Sequence, residues 1–258
     1  METEAKTVGI IGGMGPQATV DLFQKIVEAT PARRDQDHIH IIIDNFPQIP
    51  DRTAFLLGKG ETPLPYILKS VRLLEKASVD VLCMPCNTAH YFVRDIRNAT
   101  PLPFMSIVES TLNRIRSSFE DSKGIGLLAT DGTVAGRVYH DPFEGAGYRI
   151  ITPLEEGQRE LMRIIYSVKA GEIAESVRAF EEIIDHMRFL GSKLVILGCT
   201  ELPILLKYSN PTIPVIDATS CLAKEMVECA MGVRSSDNGD SVGTTGWQGH
   251  VPCPGTHR

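Results

Sequence analysis

Two cysteines, Cys86 and Cys199, each follow a short apolar run and precede small polar side chains. The runs, residues 81–85 and 194–198, have the length and composition of buried parallel strands. Because ligands bind beyond the carboxyl ends of such strands, both thiols are predicted to lie where chemistry occurs. We expect them to face one another across a cleft.

Two opposed thiols suit proton transfer at a carbon acid. One thiolate would remove a proton from one face of the carbon, and the other thiol would deliver a proton to the opposite face. The side chains of Asn87, Thr88 and Thr200 and the N–H groups of the following helices could stabilise a thiolate. The alternative is that both are inert buried thiols, the commoner fate of a free cysteine.

Cys83 and Cys86 form a C-x-x-C pair that could be a redox or zinc motif. No second pair with ligand spacing follows, so Cys83 is interpreted as a small buried apolar residue and no metal site is predicted. Residues 13–18, which include the glycine-rich turn, fit the dinucleotide fingerprint G-x-G-x-x-A only loosely. We favour a turn that presents backbone N–H groups to a small anion such as a carboxylate.

The elements that must position these residues occur twice. Residues 123–132 align with 6–15, Cys199 aligns with Cys86, and residues 213–217 align with 102–106, in the same order and at nearly the same offset. This register indicates an internal duplication. Alternating strands and helices predict parallel sheets, so we expect two α/β lobes with a cleft between them.

Helices are predicted over residues 16–29, 65–77, 89–99, 155–170, 173–190 and 218–231, and strands over 8–11 and 39–43. The first helix carries an apolar stripe of Val20, Phe23, Ile26 and Val27. The first lobe is predicted to comprise 1–112 and 214–231, and the second 113–213. Residues 232–258, which lack an apolar period, are predicted to be a disordered tail.

Composition excludes several functions. A net charge of -6 without any basic run argues against nucleic-acid binding, and no apolar run is long enough to span a membrane. Six cysteines in 258 residues are not a disulfide scaffold. The N-terminus has no apolar signal segment, so we expect a cytoplasmic protein.

The motifs at 12–16, 85–90 and 198–201 together resemble the aspartate/glutamate racemase family over residues 6–231, specifically its aspartate racemase branch. The glutamate branch usually has histidine where this chain has Glu201. The resemblance implies two flavodoxin-like lobes related by a pseudo-twofold axis, a homodimer, and cofactor-independent 1,1-proton transfer on a small acidic amino acid.

By the same resemblance, Cys86 and Cys199 would be the catalytic acid/base residues. Arg52 would hold a substrate carboxylate, with help from Lys169 of the second lobe. The remaining substrate-binding residues would be Met14, Asn87, Thr88, Thr130, Thr200 and Glu201. The alternatives are a maleate-type dicarboxylate isomerase on the same scaffold and a non-catalytic binder of acidic amino acids.

Overall fold

The computed structural model describes residues 5–119 and 122–232. The first half of the chain forms a four-stranded parallel sheet with the strand order β2-β1-β3-β4. Its strands are β1 (Val8–Gly12), β2 (Ile41–Asn45), β3 (Val81–Cys83) and β4 (Phe104–Met105). The helices along this half are α1 (Pro16–Ala29), α2 (Arg52–Leu56), α3 (Leu64–Lys76), α4 (Val93–Ala99) and α5 (Ile107–Ser118).

The second half repeats this arrangement with the strand order β6-β5-β7-β8, also parallel. Its strands are β5 (Gly124–Ala129), β6 (Arg149–Ile151), β7 (Leu194–Gly198) and β8 (Val215–Asp217). The accompanying helices are α6 (Asp131–Ala135), α7 (His140–Gly145), α8 (Glu155–Lys169), α9 (Val177–Phe189), α10 (Leu202–Leu206) and α11 (Ala218–Met231).

The two sheets confirm the predicted α/β fold with two pseudo-symmetric lobes. In each lobe the first strand is central and the second lies at the edge, the order of flavodoxin-like sheets. Strands β1, β3 and β7 are buried at every residue because helices cover both faces of their sheets. Every helix in the described ranges is too short or too polar to cross a lipid bilayer.

The last two elements change the predicted lobe boundary at residue 214. Strand β8 pairs in parallel with β7, so residues 215–217 belong to the second sheet rather than to the first lobe. Helix α11 then packs against α1 and α5, as expected for a chain that crosses back. Gly232, with φ of +64°, ends α11, and the rest of the predicted tail lies outside the described residues.

Helix α1 has the predicted bounds but buries a different face. Its buried residues are Ala18, Thr19, Leu22 and Ile26. Of the predicted apolar stripe, only Ile26 is buried, whereas Val20, Phe23 and Val27 are 55%, 42% and 37% exposed. The buried side of α1 is therefore not the side that carries most of this stripe.

Two predicted elements near the site also differ in the structure. Strand β3 ends at Cys83, so Met84 and Pro85 separate it from Cys86, whereas β7 runs directly into Cys199. The helix expected over 89–99 begins as a 3-10 turn at Thr88–Phe92 and becomes α-helical only in α4. The two cysteines thus leave equivalent strands through loops of different length.

Candidate active site

One pocket lies between the lobes at the carboxyl ends of both sheets and encloses about 320 Å³, its open mouth included. All ten residues singled out from the sequence line it: Met14, Arg52, Cys86, Asn87, Thr88, Thr130, Lys169, Cys199, Thr200 and Glu201. Asp51, Thr53 and Gly198 also line it and were not predicted.

Cys86 is held in a loop that His90 links to the first residue of α5. Nε2 of His90 accepts a 3.1 Å hydrogen bond from the N–H of Ile107. Nδ1 must therefore carry the ring proton, which it donates to the carbonyl oxygen of Cys86 at 2.8 Å. Burial lowers the pKa of His90 to about 4, so the ring stays neutral and positions Cys86.

Cys199 begins the matching loop of the second lobe and is paired with an acid. Its Sγ donates a 3.0 Å hydrogen bond to Oε2 of Glu201. Burial raises the pKa of the Cys199 thiol well above its usual value, and the Glu201 carboxyl raises it further. Cys199 is therefore a protonated thiol at neutral pH with a proton acceptor already in contact.

Lys169, the last residue of α8, brings a positive charge to this pocket. Burial of the amine opposes its protonation, but Glu201 and the thiols of Cys199 and Cys86 outweigh that effect and raise the pKa of Lys169. The residue keeps contact with solvent. It is thus a charged group at the pocket wall, placed to stabilise negative charge on either sulfur or on a ligand.

Arg52, the first residue of α2, is fixed by backbone carbonyl groups. Nη1 donates to the carbonyl oxygens of Ile49 at 3.3 Å and Pro50 at 3.1 Å, and Nη2 donates to that of Met14 at 3.2 Å. Among the described residues its buried Nε has no partner. Since a guanidinium has five N–H donors, two remain, a number that matches the two oxygens of one carboxylate.

Three hydroxyl groups join the lobes behind the pocket. Oγ1 of Thr88, from the first lobe, lies 3.0 Å from that of Thr130 and 2.9 Å from that of Thr133, both from the second lobe. The Thr130 side chain also accepts from the N–H of Thr133 and so caps α6. Thr133 was not predicted as a site residue, and it does not itself line the pocket.

The glycine turn before α1 serves the site differently from the prediction. The N–H of Gly13 is already bonded to Oγ1 of Thr19 at 2.9 Å, so it is not offered to an anion. Gly13 has φ of +91°, and a Cβ there would lie 2.4 Å from the backbone of Phe46. The turn is tight because two chain segments pass close together, and its contribution to Arg52 is the carbonyl group of Met14.

Cys83, the other half of the C-x-x-C pair, is fully buried and does not line the pocket. Burial raises the pKa of its thiol, which agrees with its interpretation as a small apolar core residue. Within the described residues, no cluster of three or more histidine, cysteine, aspartate or glutamate side chains has the arrangement of a metal site.

The sequence and the fold match known proteins. The family model for Asp/Glu/Hydantoin racemase matches residues 11–226, and the chain belongs to this family. The broad specificity amino-acid racemase RacX of Bacillus subtilis is 28% identical over 243 residues, which cover 88% of this chain and all of that protein.

Solved structures show the same architecture. An aspartate racemase from Picrophilus torridus is 31% identical with a TM-score of 0.79, over 90% of this chain and 96% of that one. A glutamate racemase from Campylobacter jejuni, 16% identical with a TM-score of 0.64 over 90% and 88% of the two chains, shares the fold. The protein is accordingly an isomerase of the racemase type.

Proposed function

We propose that this racemase interconverts L- and D-aspartate by proton transfer between Cys86, Cys199 and the α-carbon of the substrate. The proposal is supported mainly by one observation. Both thiols line the same interlobe pocket, and they occupy equivalent positions of a duplicated fold. Such symmetry supports a mechanism with one acid/base group on either side of a bound α-carbon. The identity of aspartate is supported by the likeness to the Picrophilus torridus enzyme.

Binding rests on the fixed charges of the pocket. The two remaining N–H groups of Arg52 donate as a pair to one carboxylate, and the Lys169 amine balances the second negative group from the other lobe. These cations also stabilise the charge that moves from the α-carbon into its carboxylate when the proton leaves. Because both cations are in place before reaction, little reorganisation is required.

In one direction the Cys86 thiolate removes the α-proton, and its sulfur becomes a thiol. The electron pair left on the α-carbon then takes the proton of the Cys199 thiol from the opposite face, which leaves Cys199 as a thiolate. The product has inverted configuration and no atom is gained or lost. In the reverse direction Cys199 is the base and Cys86 the acid.

Glu201 helps Cys199 to act both as the acid and as the base. Its carboxylate accepts the thiol hydrogen bond, so it orients the Sγ–H for delivery and can receive that proton when Cys199 must become the base. The neighbouring Lys169 favours the thiolate once it forms. Cys199 is therefore a weak acid at rest that its surroundings can ionise during turnover.

The test is proton NMR of L-aspartate with reduced protein in deuterated buffer, with optical rotation or circular dichroism followed on the same sample. We expect loss of the α-proton signal together with decay of optical activity toward zero. The Cys86→Ala and Cys199→Ala variants should each lose racemisation. If both single variants keep near wild-type turnover, the two-cysteine mechanism is wrong.

Assays with several candidate substrates distinguish an aspartate racemase from related functions. Glutamate and neutral amino acids test for a broader specificity like that in the name of the Bacillus subtilis relative. Absence of α-proton exchange with every amino acid would reject racemisation. Maleate turnover with a cysteine adduct in the mass spectrum would then identify a dicarboxylate isomerase, and aspartate binding without exchange would identify a binder.

A homodimer and a cytoplasmic location also belong to this proposal. The exposed apolar side chains of Val20, Phe23 and Val27 on α1 support self-association because such a face favours burial against a partner. Sedimentation equilibrium of the wild type and of Phe23→Glu measures the assembly. A monomeric wild type would reject the dimer, and cell fractionation tests the location.

A further inference from the structure

Tyr139 is a fully buried tyrosine that lies between α6 and α7 and outside the pocket lining. Its hydroxyl group donates a 2.6 Å hydrogen bond to Oδ1 of Asn87, 52 residues earlier in the chain. The bond crosses from the second lobe to the first. Its acceptor is the residue that directly follows Cys86.

This contact leaves the other end of the Asn87 amide unused. Asn87 is 3% exposed and lines the pocket. Its Nδ2 is buried without a hydrogen-bond partner among the described residues. A buried NH₂ group without a partner is unfavourable, so an acceptor on a ligand in the pocket would satisfy these hydrogens.

The hydroxyl group of Tyr139 can donate a hydrogen bond at every pH at which the enzyme would be assayed. Burial raises the pKa of its hydroxyl group, so the proton stays on the oxygen. A flip of the amide would place Nδ2 against the hydroxyl group, whose own proton would then lose its acceptor Oδ1, and would turn the carbonyl oxygen toward the pocket. The hydrogen bond therefore selects which end of Asn87 faces the ligand.

We infer that Tyr139 is a positioning residue that fixes the Asn87 amide so that its NH₂ group donates to a carboxylate of the substrate. The inference rests on the proposed racemase function and assigns this carboxylate a second donor besides Arg52. Because the bond joins the lobes, the donor is oriented only when the lobes are together.

The test compares Tyr139→Phe with Tyr148→Phe. Both tyrosines pack on Phe143, with ring centroids 5.6 Å and 6.0 Å away, but Tyr148 lies at the opposite end of the lobe. We expect Tyr139→Phe to raise the KM for aspartate about tenfold, as expected when a hydrogen bond to a charged group is weakened. The kcat should change less than about threefold, and Tyr148→Phe should leave KM unchanged.

A double-mutant cycle separates positioning from simple stability. In an Asn87→Ala background, Tyr139→Phe should have almost no further effect on kcat/KM, because the oriented group is gone. Additive effects, or a Tyr139→Phe enzyme with wild-type KM, would overturn the inference. An inactive wild type would reject the racemase proposal instead, so the two failures are distinguishable.

A second variant applies if Tyr139→Phe does not fold. Asn87→Asp keeps the shape and the acceptor for Tyr139 but replaces the NH₂ group by a carboxylate oxygen, which repels a substrate carboxylate. We expect kcat/KM to fall about 100-fold or more. A folded Asn87→Asp enzyme with wild-type KM would also overturn the inference.

Discussion

The thiol of Cys199 and the carboxylate of Glu201 form a 3.0 Å hydrogen bond inside the interlobe pocket. Both residues are buried, with 6% and 5% of their surface exposed. The carboxyl oxygen accepts the hydrogen bond of the thiol, and its proximity raises the pKa of Cys199 and so opposes a thiolate. The resting state of this half of the site is set by two residues that are only two positions apart.

Replacing Glu201 with Gln should affect the two directions of racemisation unequally. The amide cannot take the Cys199 proton, so kcat for the enantiomer that needs Cys199 as the base should fall about 100-fold. Loss of the carboxylate also lowers the pKa of Cys199, so the rise of kcat/KM with pH should move to lower pH for that enantiomer. Surface Glu160→Gln is the control, and unchanged pH profiles for both enantiomers would contradict the assignment.

Arg52→Lys should weaken substrate binding although the charge is kept. Lysine lacks the planar set of donors that bonds three backbone carbonyls and still offers a pair to a carboxylate. We expect KM to rise about tenfold or more. The matched control is Arg178→Lys, whose exposed arginine pairs with Glu182 on α9. Equal KM values in the Arg52 variant and the control would reject the carboxylate role.

Gly132→Ala should separate the lobes next to the pocket. A Cβ on Gly132 would lie 2.7 Å from Cα of Thr53, the residue after Arg52. Backbone cannot yield there as a flexible side chain would, so we expect a higher KM and a stability loss of about 1–3 kcal/mol. Gly145→Ala in α7 is the control, because an added Cβ meets no described atom within 4 Å. Similar melting temperatures and KM values for both variants would contradict this expectation.

Lys25→Met should destabilise the joint between α1 and α11. Nζ of Lys25 lies 2.7 Å from Oδ2 of Asp217, the N-cap of α11, and also contacts Asp21. Loss of this partly buried pair should cost roughly 1–3 kcal/mol of unfolding free energy at pH 7. Surface Lys59→Met serves as the control in urea denaturation. Equal midpoints for the two variants would show that the pair contributes no stability.

The ion pair between Lys25 and Asp217 also predicts how the unfolding free energy changes with pH. Burial opposes the charge on Lys25, but Asp217 and Asp21 outweigh it and raise the pKa of Lys25 in the folded protein. The stabilisation is therefore complete below the unfolded value of about 10.4 and is lost as pH rises through the higher folded value. Unfolding free energies at pH 8 and pH 11 should differ more for the wild type than for Lys25→Met.

Much of the site could be read from the order of residues. Cys86, Asn87, Thr88, Cys199 and Thr200 directly follow strand-like runs, and parallel strands bring their carboxyl ends to one edge of a sheet. The duplication then places two such edges in corresponding positions. These inferences are local or depend on repetition, so they needed no knowledge of packing.

The structural features that could not be predicted depend on packing between segments that are distant in the chain. The buried face of α1 depends on its packing against α11, which lies about 200 residues later in the chain. Without that partner, the periodicity of α1 does not show that Leu22 rather than Phe23 is buried. The hydrogen bond from Tyr139 to Asn87 joins the lobes in the same way and has no local pattern. The sequence alone determined the repeated strands and the thiols at their ends, because these depend on neighbours in the chain. The tertiary structure decided which buried polar groups form hydrogen bonds with one another, because that depends on how the two lobes pack together.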